Sequence, residues 1–213
     1  MTVLQLEQVT LRIHGSLLFA PLSLCVEPGK VTSVVGRSGS GKSSLLKFLC
    51  GILPSDISAA GAVCLGDEDL TRLPAQLRRL GLLFQEPLLF PHLDVASNVL
   101  FGLRAGGSQR ERQQRAADAL GSVGLEGFGH RDPATLSGGQ QARVALLRVM
   151  LAEPRALLLD EPFSSLDDHS RERTRELVFA EARRLGLPTL LVTHDQGDVE
   201  AAGGPVVTLQ ASG

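Results

Sequence analysis

Val31-Thr32-Ser33-Val34-Val35, then Gly36-Arg37-Ser38-Gly39-Ser40-Gly41-Lys42-Ser43, then Ser44-Leu45-Leu46-Lys47-Phe48-Leu49 is the stretch that decides the fold class. The valine-rich start reads as a short buried strand. The glycines that follow let the backbone turn without side chains in the way. Leu45, Leu46 and Leu49 then share the buried face of a helix. The unit is strand, loop, helix.

The eight residues Gly36–Ser43 fit the phosphate-loop pattern. Its logic is physical: inward N–H groups and the positive end of a helix converge on one anion. In such a loop Lys42 reaches the outer phosphates of a nucleotide, and the Ser43 hydroxyl is a ligand for Mg2+. An ordinary glycine-rich turn could carry the same letters. The strand before it and the amphipathic helix after it favour the phosphate reading.

Upstream, Val3 to Leu11 and Leu22 to Glu27 alternate apolar with polar residues, as antiparallel strands with one wet face do, and Pro28-Gly29 marks a turn. Downstream, positions 87–152 read as helical, with apolar residues at Val95, Val99, Leu100 and Leu103 and again around Leu120 and Val123. Gly106-Gly107-Ser108 and Asp132-Pro133 interrupt that segment. Ala156 to Leu159, Thr189 to Thr193 and Val206 to Leu209 read as strands, with a charged helix from about Asp168 to Leu185. Strands alternating with helices imply a mostly parallel sheet covered on both faces. The expected organisation is one domain over 1–213, its core built from 1–86 and 153–213, with a helical subdomain inserted at 87–152.

Composition narrows the function. The 213 residues are 43% apolar with a formal net charge of −2, which gives no electrostatic support for nucleic acid as a partner. No run approaches the roughly 18 apolar residues of a membrane span, and the N-terminus lacks a signal-peptide pattern. The expectation is a cytoplasmic protein whose membrane work, if any, passes through a partner. Cys25, Cys50 and Cys64 are isolated and the five histidines are scattered, so neither a disulfide framework nor a zinc site is indicated.

Ala156-Leu157-Leu158-Leu159-Asp160-Glu161 is an apolar strand ending in two carboxylates. Ligands bind at the carboxyl ends of strands in open α/β sheets. Asp160 there suits the Mg2+ shell, and Glu161 suits a base that polarises the attacking water. A strand that merely ends in a solvated acidic turn is the bland alternative; the phosphate loop gives the pair a role.

Leu136-Ser137-Gly138-Gly139-Gln140, followed by Gln141-Ala142-Arg143-Val144-Ala145, resembles the signature motif of ATP-binding-cassette (ABC) ATPases. The resemblance covers nearly the whole chain. It implies an α/β fold: a P-loop NTPase (RecA-like) core with an N-terminal antiparallel β subdomain and an inserted α-helical subdomain. Gln85 matches the family's glutamine loop, a magnesium and water sensor. Ser164-Ser165-Leu166-Asp167 resembles the loop crossing a dimer interface. Val192-Thr193-His194-Asp195 resembles the switch whose histidine contacts the γ-phosphate. The implied site is then Glu161, His194, Gln85 and Lys42 for catalysis, with Ser43, Gln85 and Asp160 on Mg2+. Nucleotide contacts would come from Gly36, Arg37, Ser38, Gly39, Ser40, Gly41, Lys42, Ser43, Ser44 and His14. The resemblance also implies a head-to-tail homodimer in which Ser137, Gly138, Gly139, Gln140 and Asp167 of one copy close over ATP on the other.

Leu88-Leu89-Phe90-Pro91-His92-Leu93-Asp94-Val95 resembles the segment of bacterial importers for thiamine, spermidine, iron or sulfate-like solutes that borders the groove for an integral membrane permease subunit. The alternative is that it only caps the core of the helical lobe. An importer implies a solute-binding protein as a further partner; the alternative is the ABC ATPase of an exporter, or a non-transport ABC ATPase. Ending near Leu209, the chain resembles the short, thiamine-type members. It departs from the family at the adenine platform. Where an aromatic ring is usual, Ile13 or His14 stands, and the chain has no Tyr or Trp. Weaker ATP affinity and weaker discrimination against GTP are expected. Ser44 stands where threonine is common and keeps the hydroxyl.

Overall fold

The computed structural model describes residues 2–210 and divides them into two compact units. The first comprises the chain up to Leu82, Arg155–Glu161 and the chain from Phe179 onward; the second comprises Leu83–Pro154 and Pro162–Val178.

Two sheets build the first unit. In the antiparallel one, β1 (Leu4–Ile13) is the central strand, with β3 (Leu22–Val26) on one side and β5 (Ile57–Leu65) on the other. Leu4 pairs with Val26 and Leu65, and Leu6 with Leu24 and Val63, so one face of all three strands is buried. Side chains directly opposite on neighbouring strands share a face. The register slips between Leu6 and Thr10, where Gln8 adopts φ +47 and its N–H turns to Ser23 Oγ. That bulge restores Val9 and Leu11 to the buried face. Short strands β2 (Ser16–Leu17) and β6 (Glu68–Asp69) complete the sheet.

The second sheet runs in the order β10 (Val206–Thr208), β4 (Val31–Val35), β9 (Thr189–Val192), β8 (Ala156–Asp160), β7 (Leu80–Leu83). The first four are parallel. Their inner members, VTSVV, TLLV and ALLLD, do not alternate because both faces are covered, as parallel strands require. Helix α1 (Lys42–Cys50) follows β4 and inserts Leu45, Leu46 and Leu49, all fully buried, into the core between the sheets. A single turn, α2 (Ala75–Arg78), precedes β7, and α7 (Gln196–Ala202) follows β9.

In the second unit, α3 (Val95–Gly102), α4 (Gln109–Ser122) and α5 (Gly138–Met150) pack around Val95, Val99, Leu120, Leu125 and Val144. Asp94 caps α3, and reciprocal Ser–Glu and Ser–Gln capping boxes start α4 and α5. Pro162–Leu166 and the first part of α6 (Asp168–Arg184) belong with this unit. Among the described residues no helix is long and apolar enough to cross a membrane.

Candidate functional site

The loop between β4 and α1 closes on its own lysine. Lys42 is 6% exposed, and its ammonium donates to the carbonyls of Gly36 at 2.9 Å and Arg37 at 3.0 Å. Gly39 and Gly41 adopt φ +78 and +89, where a side chain would be strained. Gly41 is the N-cap of α1 and offers no side-chain acceptor, so the first-turn N–H groups are left to an anion. Arg37, Ser38 and Gly39 are exposed at the loop tip, Ser40 is buried beneath it, and Ser44 is half-buried in the first turn of α1.

Asp160 ends β8 next to that first turn and accepts from Ser43 Oγ at 2.9 Å. Burial raises the Asp160 pKa; the Ser43 hydroxyl opposes this, the Glu161 carboxylate adds to it, and Lys47 and Lys42 lower it. One carboxylate and one hydroxyl are hard oxygen donors. They suit Mg2+, which is commonly held by one or two carboxylates together with waters and phosphate oxygens.

The raised pKa carries a sign for stability. Between the ordinary carboxylate value and the raised one, the folded chain holds the proton that the unfolded chain has lost. Stability from this group therefore falls as pH rises through that window, and the penalty is fully present at neutral pH. Asp160→Asn, which keeps the acceptor for Ser43, is expected to melt above the parent at pH 7, with the gap narrowing toward pH 4. Thermal unfolding of both proteins across that range checks it; an equal or lower melting point at pH 7 contradicts the burial argument.

Glu161 follows directly. Its backbone is left-handed, φ +46, with the N–H donating to Val192 O. Such a conformation is uncommon outside glycine and concentrates at functional sites. The Glu161 carboxylate lies 3.0 Å from Nδ1 of His194, whose side chain is largely exposed. His194 is held by its neighbours: Thr193 Oγ1 donates to buried Asp198 Oδ2 and accepts from Asp195 N–H, and Asp195 caps α7 by accepting from Asp198 N–H. Thr193 enters the sequence reading only as part of the 192–195 segment, and Asp198 does not enter it. A buried carboxylate in the otherwise ordinary helix start QGDVEAA leaves no periodic signal.

The first unit thus brings Lys42, Ser43, Asp160, Glu161 and His194 together at the carboxyl ends of β4, β8 and β9. Gln85, Ser137, Gly138, Gly139, Gln140 and Asp167 belong to the second unit. Gln85 is exposed, two residues past β7. Ser137 is the N-cap of α5, accepting from Gln140 N–H while the Gln140 side chain accepts from Ser137 N–H. A Cβ on Gly139 would come within 2.8 Å of Ser170 Cβ. Asp167 accepts from Ser170 N–H at 3.0 Å, and the Ser170 hydroxyl first, then this N–H, hold its carboxyl below the usual range. His14, φ +49, and Gly15 form the exposed two-residue turn between β1 and β2.

The sequence pattern of the ABC transporter family matches residues 19–164. An uncharacterized ABC transporter ATP-binding protein of Escherichia coli K12, YnjD, is 45% identical over 199 residues, covering 93% of this chain and 92% of YnjD. The Fe(3+) ions import ATP-binding protein FbpC of Brucella abortus strain 2308 is 40% identical over 97% of this chain, and FbpC 1 of Rhizobium meliloti is 42% identical over 89%. The chain spans 58% and 53% of those two iron-import proteins. Among solved structures, the dimeric post-hydrolysis state of the ATP-binding cassette MJ0796 bound to ADP and Pi superposes with a TM-score of 0.80 at 30% identity, covering 97% of this chain and 94% of MJ0796.

Proposed function

From the premise that this chain belongs to the ABC transporter family, as an ATP-binding and ATP-hydrolysing cassette, we propose that it energises solute import by closing a head-to-tail dimer on ATP against a membrane permease. The observation that carries this reading is the cluster of Lys42, Ser43, Asp160, Glu161 and His194 at one sheet edge. Lys42, released from the Gly36 and Arg37 carbonyls, binds the β- and γ-phosphates, and the Gly39–Gly41 turn and the start of α1 cradle them. Ser43 and Asp160 hold Mg2+, which, when bound, draws charge from the phosphate oxygens. Glu161 takes the proton of the attacking water, and His194 orients Glu161 through Nδ1 and faces the γ-phosphate. Ser137, Gly138, Gly139, Gln140 and Asp167 of a second copy complete the site, with Gln85 reporting on metal and water.

The dimer reading is supported by the dimeric MJ0796 structures, and the importer reading by the FbpC relatives. Leu88 and Phe101 are exposed, and Phe90 stacks edge-on to Phe101 at 4.6 Å. An apolar face of this kind suits a helix of the permease. A cassette facing such a permease lies on the cytoplasmic face of the membrane. Purification from native membranes in mild detergent, with mass spectrometry of what comes along, tests the proposal. Recovery of a multi-span membrane protein with a solute-binding protein supports it; ATPase activity with no membrane partner removes the transport role.

The exposed His14 turn sets the nucleotide preference. Aromatic stacking on a base is worth roughly 1–3 kcal/mol, and neither Ile13 nor His14 offers a Tyr or Trp ring. ATP and GTP are expected to bind within about tenfold of each other, and His14→Tyr to tighten ATP about tenfold. Competition titration of a fluorescent nucleotide measures both. Strict adenine selectivity in the parent contradicts the assignment.

A further inference from the structure

Helix α1 and strand β8 are tied together at both ends. At the nucleotide end the tie is Ser43 Oγ to Asp160 Oδ1, 2.9 Å. At the far end the link is indirect, through the Arg78 guanidinium and the backbone of Arg79. Arg78 is 5% exposed, and its Nη1 donates to Phe48 O and Leu49 O, the last carbonyls of α1, both at 2.8 Å. Its Nε donates to Leu73 O and its Nη2 to Thr71 O, each at 2.8 Å. The next residue, Arg79, accepts from Arg155 N–H at 2.9 Å, immediately before β8, and the Arg155 side chain pairs with Glu68. Gly51, which ends α1, leaves room for this: a Cβ there would lie 2.8 Å from Arg78 Nε.

A buried arginine that spends its donors on backbone carbonyls is costly to keep, because burial disfavours its charge and pushes its pKa down. Helix C-termini attract such a cation. Here the cation also holds the end of α1 to the Thr71–Leu73 turn. An α-helix moves its residues by 1.5 Å per position, and a hydroxyl–carboxylate contact at 2.9 Å does not survive a shift of that size.

We propose that Arg78 is a positioning residue for the metal site: by clamping the far end of α1 to Thr71–Leu73 and to its own backbone, whose next carbonyl, Arg79 O, holds Arg155 at the start of β8, it sets the Ser43–Asp160 spacing. This rests on the reading of that pair as the Mg2+ site. Arg78 touches neither nucleotide nor metal and acts through α1. Metal sites typically lose 10- to 100-fold in affinity when a supporting residue of this kind is removed.

The test uses the full chain as Arg78→Gln and Arg78→Lys. Binding of a fluorescent ATP analogue is measured first in EDTA, then as Mg2+ is added back, and Mn2+ binding to the nucleotide complex is followed by electron paramagnetic resonance. The expected result is unchanged metal-free nucleotide affinity, an about tenfold rise in the Mg2+ and Mn2+ needed for half-saturation in Arg78→Gln, and partial rescue in Arg78→Lys. Unchanged metal affinity in a folded variant overturns the proposal. So does a parallel loss of metal-free nucleotide binding, or failure of both variants to fold, either of which makes Arg78 a residue of general stability. If the parent shows no response to either metal, the Mg2+ reading of Ser43 and Asp160 falls instead.

Discussion

Glu161→Gln is expected to slow ATP hydrolysis by about 10²–10⁴-fold, the usual scale for a lost general base, while leaving ATP binding intact. The amide matches the carboxylate in size, and glutamine meets the same left-handed backbone, φ +46, as the glutamate it replaces. Lys42, Ser43 and Asp160 keep their contacts, since none of those hydrogen bonds involves the Glu161 side chain. What disappears is the proton acceptor 3.0 Å from His194. The variant should therefore load ATP normally and accumulate the closed dimer. Single-turnover phosphate release, filter binding and size-exclusion chromatography with ATP measure the three quantities. Turnover at the parental rate means another group takes the proton and the assignment of the base is wrong.

Gly102→Ala is expected to destabilise the helical unit by about 3 kcal/mol, at the upper end for an overpacked interior. A Cβ at Gly102 would sit 1.9 Å from the carbonyl oxygen of Arg148 and 2.9 Å from its Cα. Those atoms are backbone of α5, so no rotamer change relieves the clash and α3 has to move away. Doing so loosens Val95 and Val99, both fully buried between α3 and its neighbours. Gly121 in α4 is the control: a Cβ there meets nothing within 4 Å, and alanine should stabilise by up to about 1 kcal/mol. Urea unfolding reads both. A Gly102→Ala midpoint equal to that of the parent would mean the two helices separate without penalty.

The elements that were legible in the sequence are those whose burial has a simple period or none. The parallel strands at 31–35, 156–160 and 189–192 are short, mostly apolar runs without alternation, and α1 shows its leucines at helical spacing. β5 was not legible: in ISAAGAVCL the run Ser58–Gly61 is exposed on both faces, so neither period appears. β2 and β6 are two residues each, too short for any pattern. At the site, the meeting of Ser43 with Asp160 beside Lys42 was legible because the phosphate-loop and metal readings call for those residue types at one place. The left-handed turn at Glu161 and the clamp at Arg78 were not. Each is defined by partners from distant segments, and an arginine that bonds only carbonyls is, in sequence, another surface charge.

Arg148 gives the second unit a mechanical property. Near the end of α5 its guanidinium donates to Leu88 O and Pro87 O and lies 5.2 Å from the Phe90 ring, while the same helix begins at Ser137. An α-helix, braced along its axis by its own hydrogen bonds, transmits an axial load with little compression. The span from Arg148 to Ser137 is about 16 Å at 1.5 Å per residue. A push on Pro87–Phe90 therefore arrives at Ser137 as displacement, not as bending: α5 is a strut, with an arginine as the bolt at its loaded end.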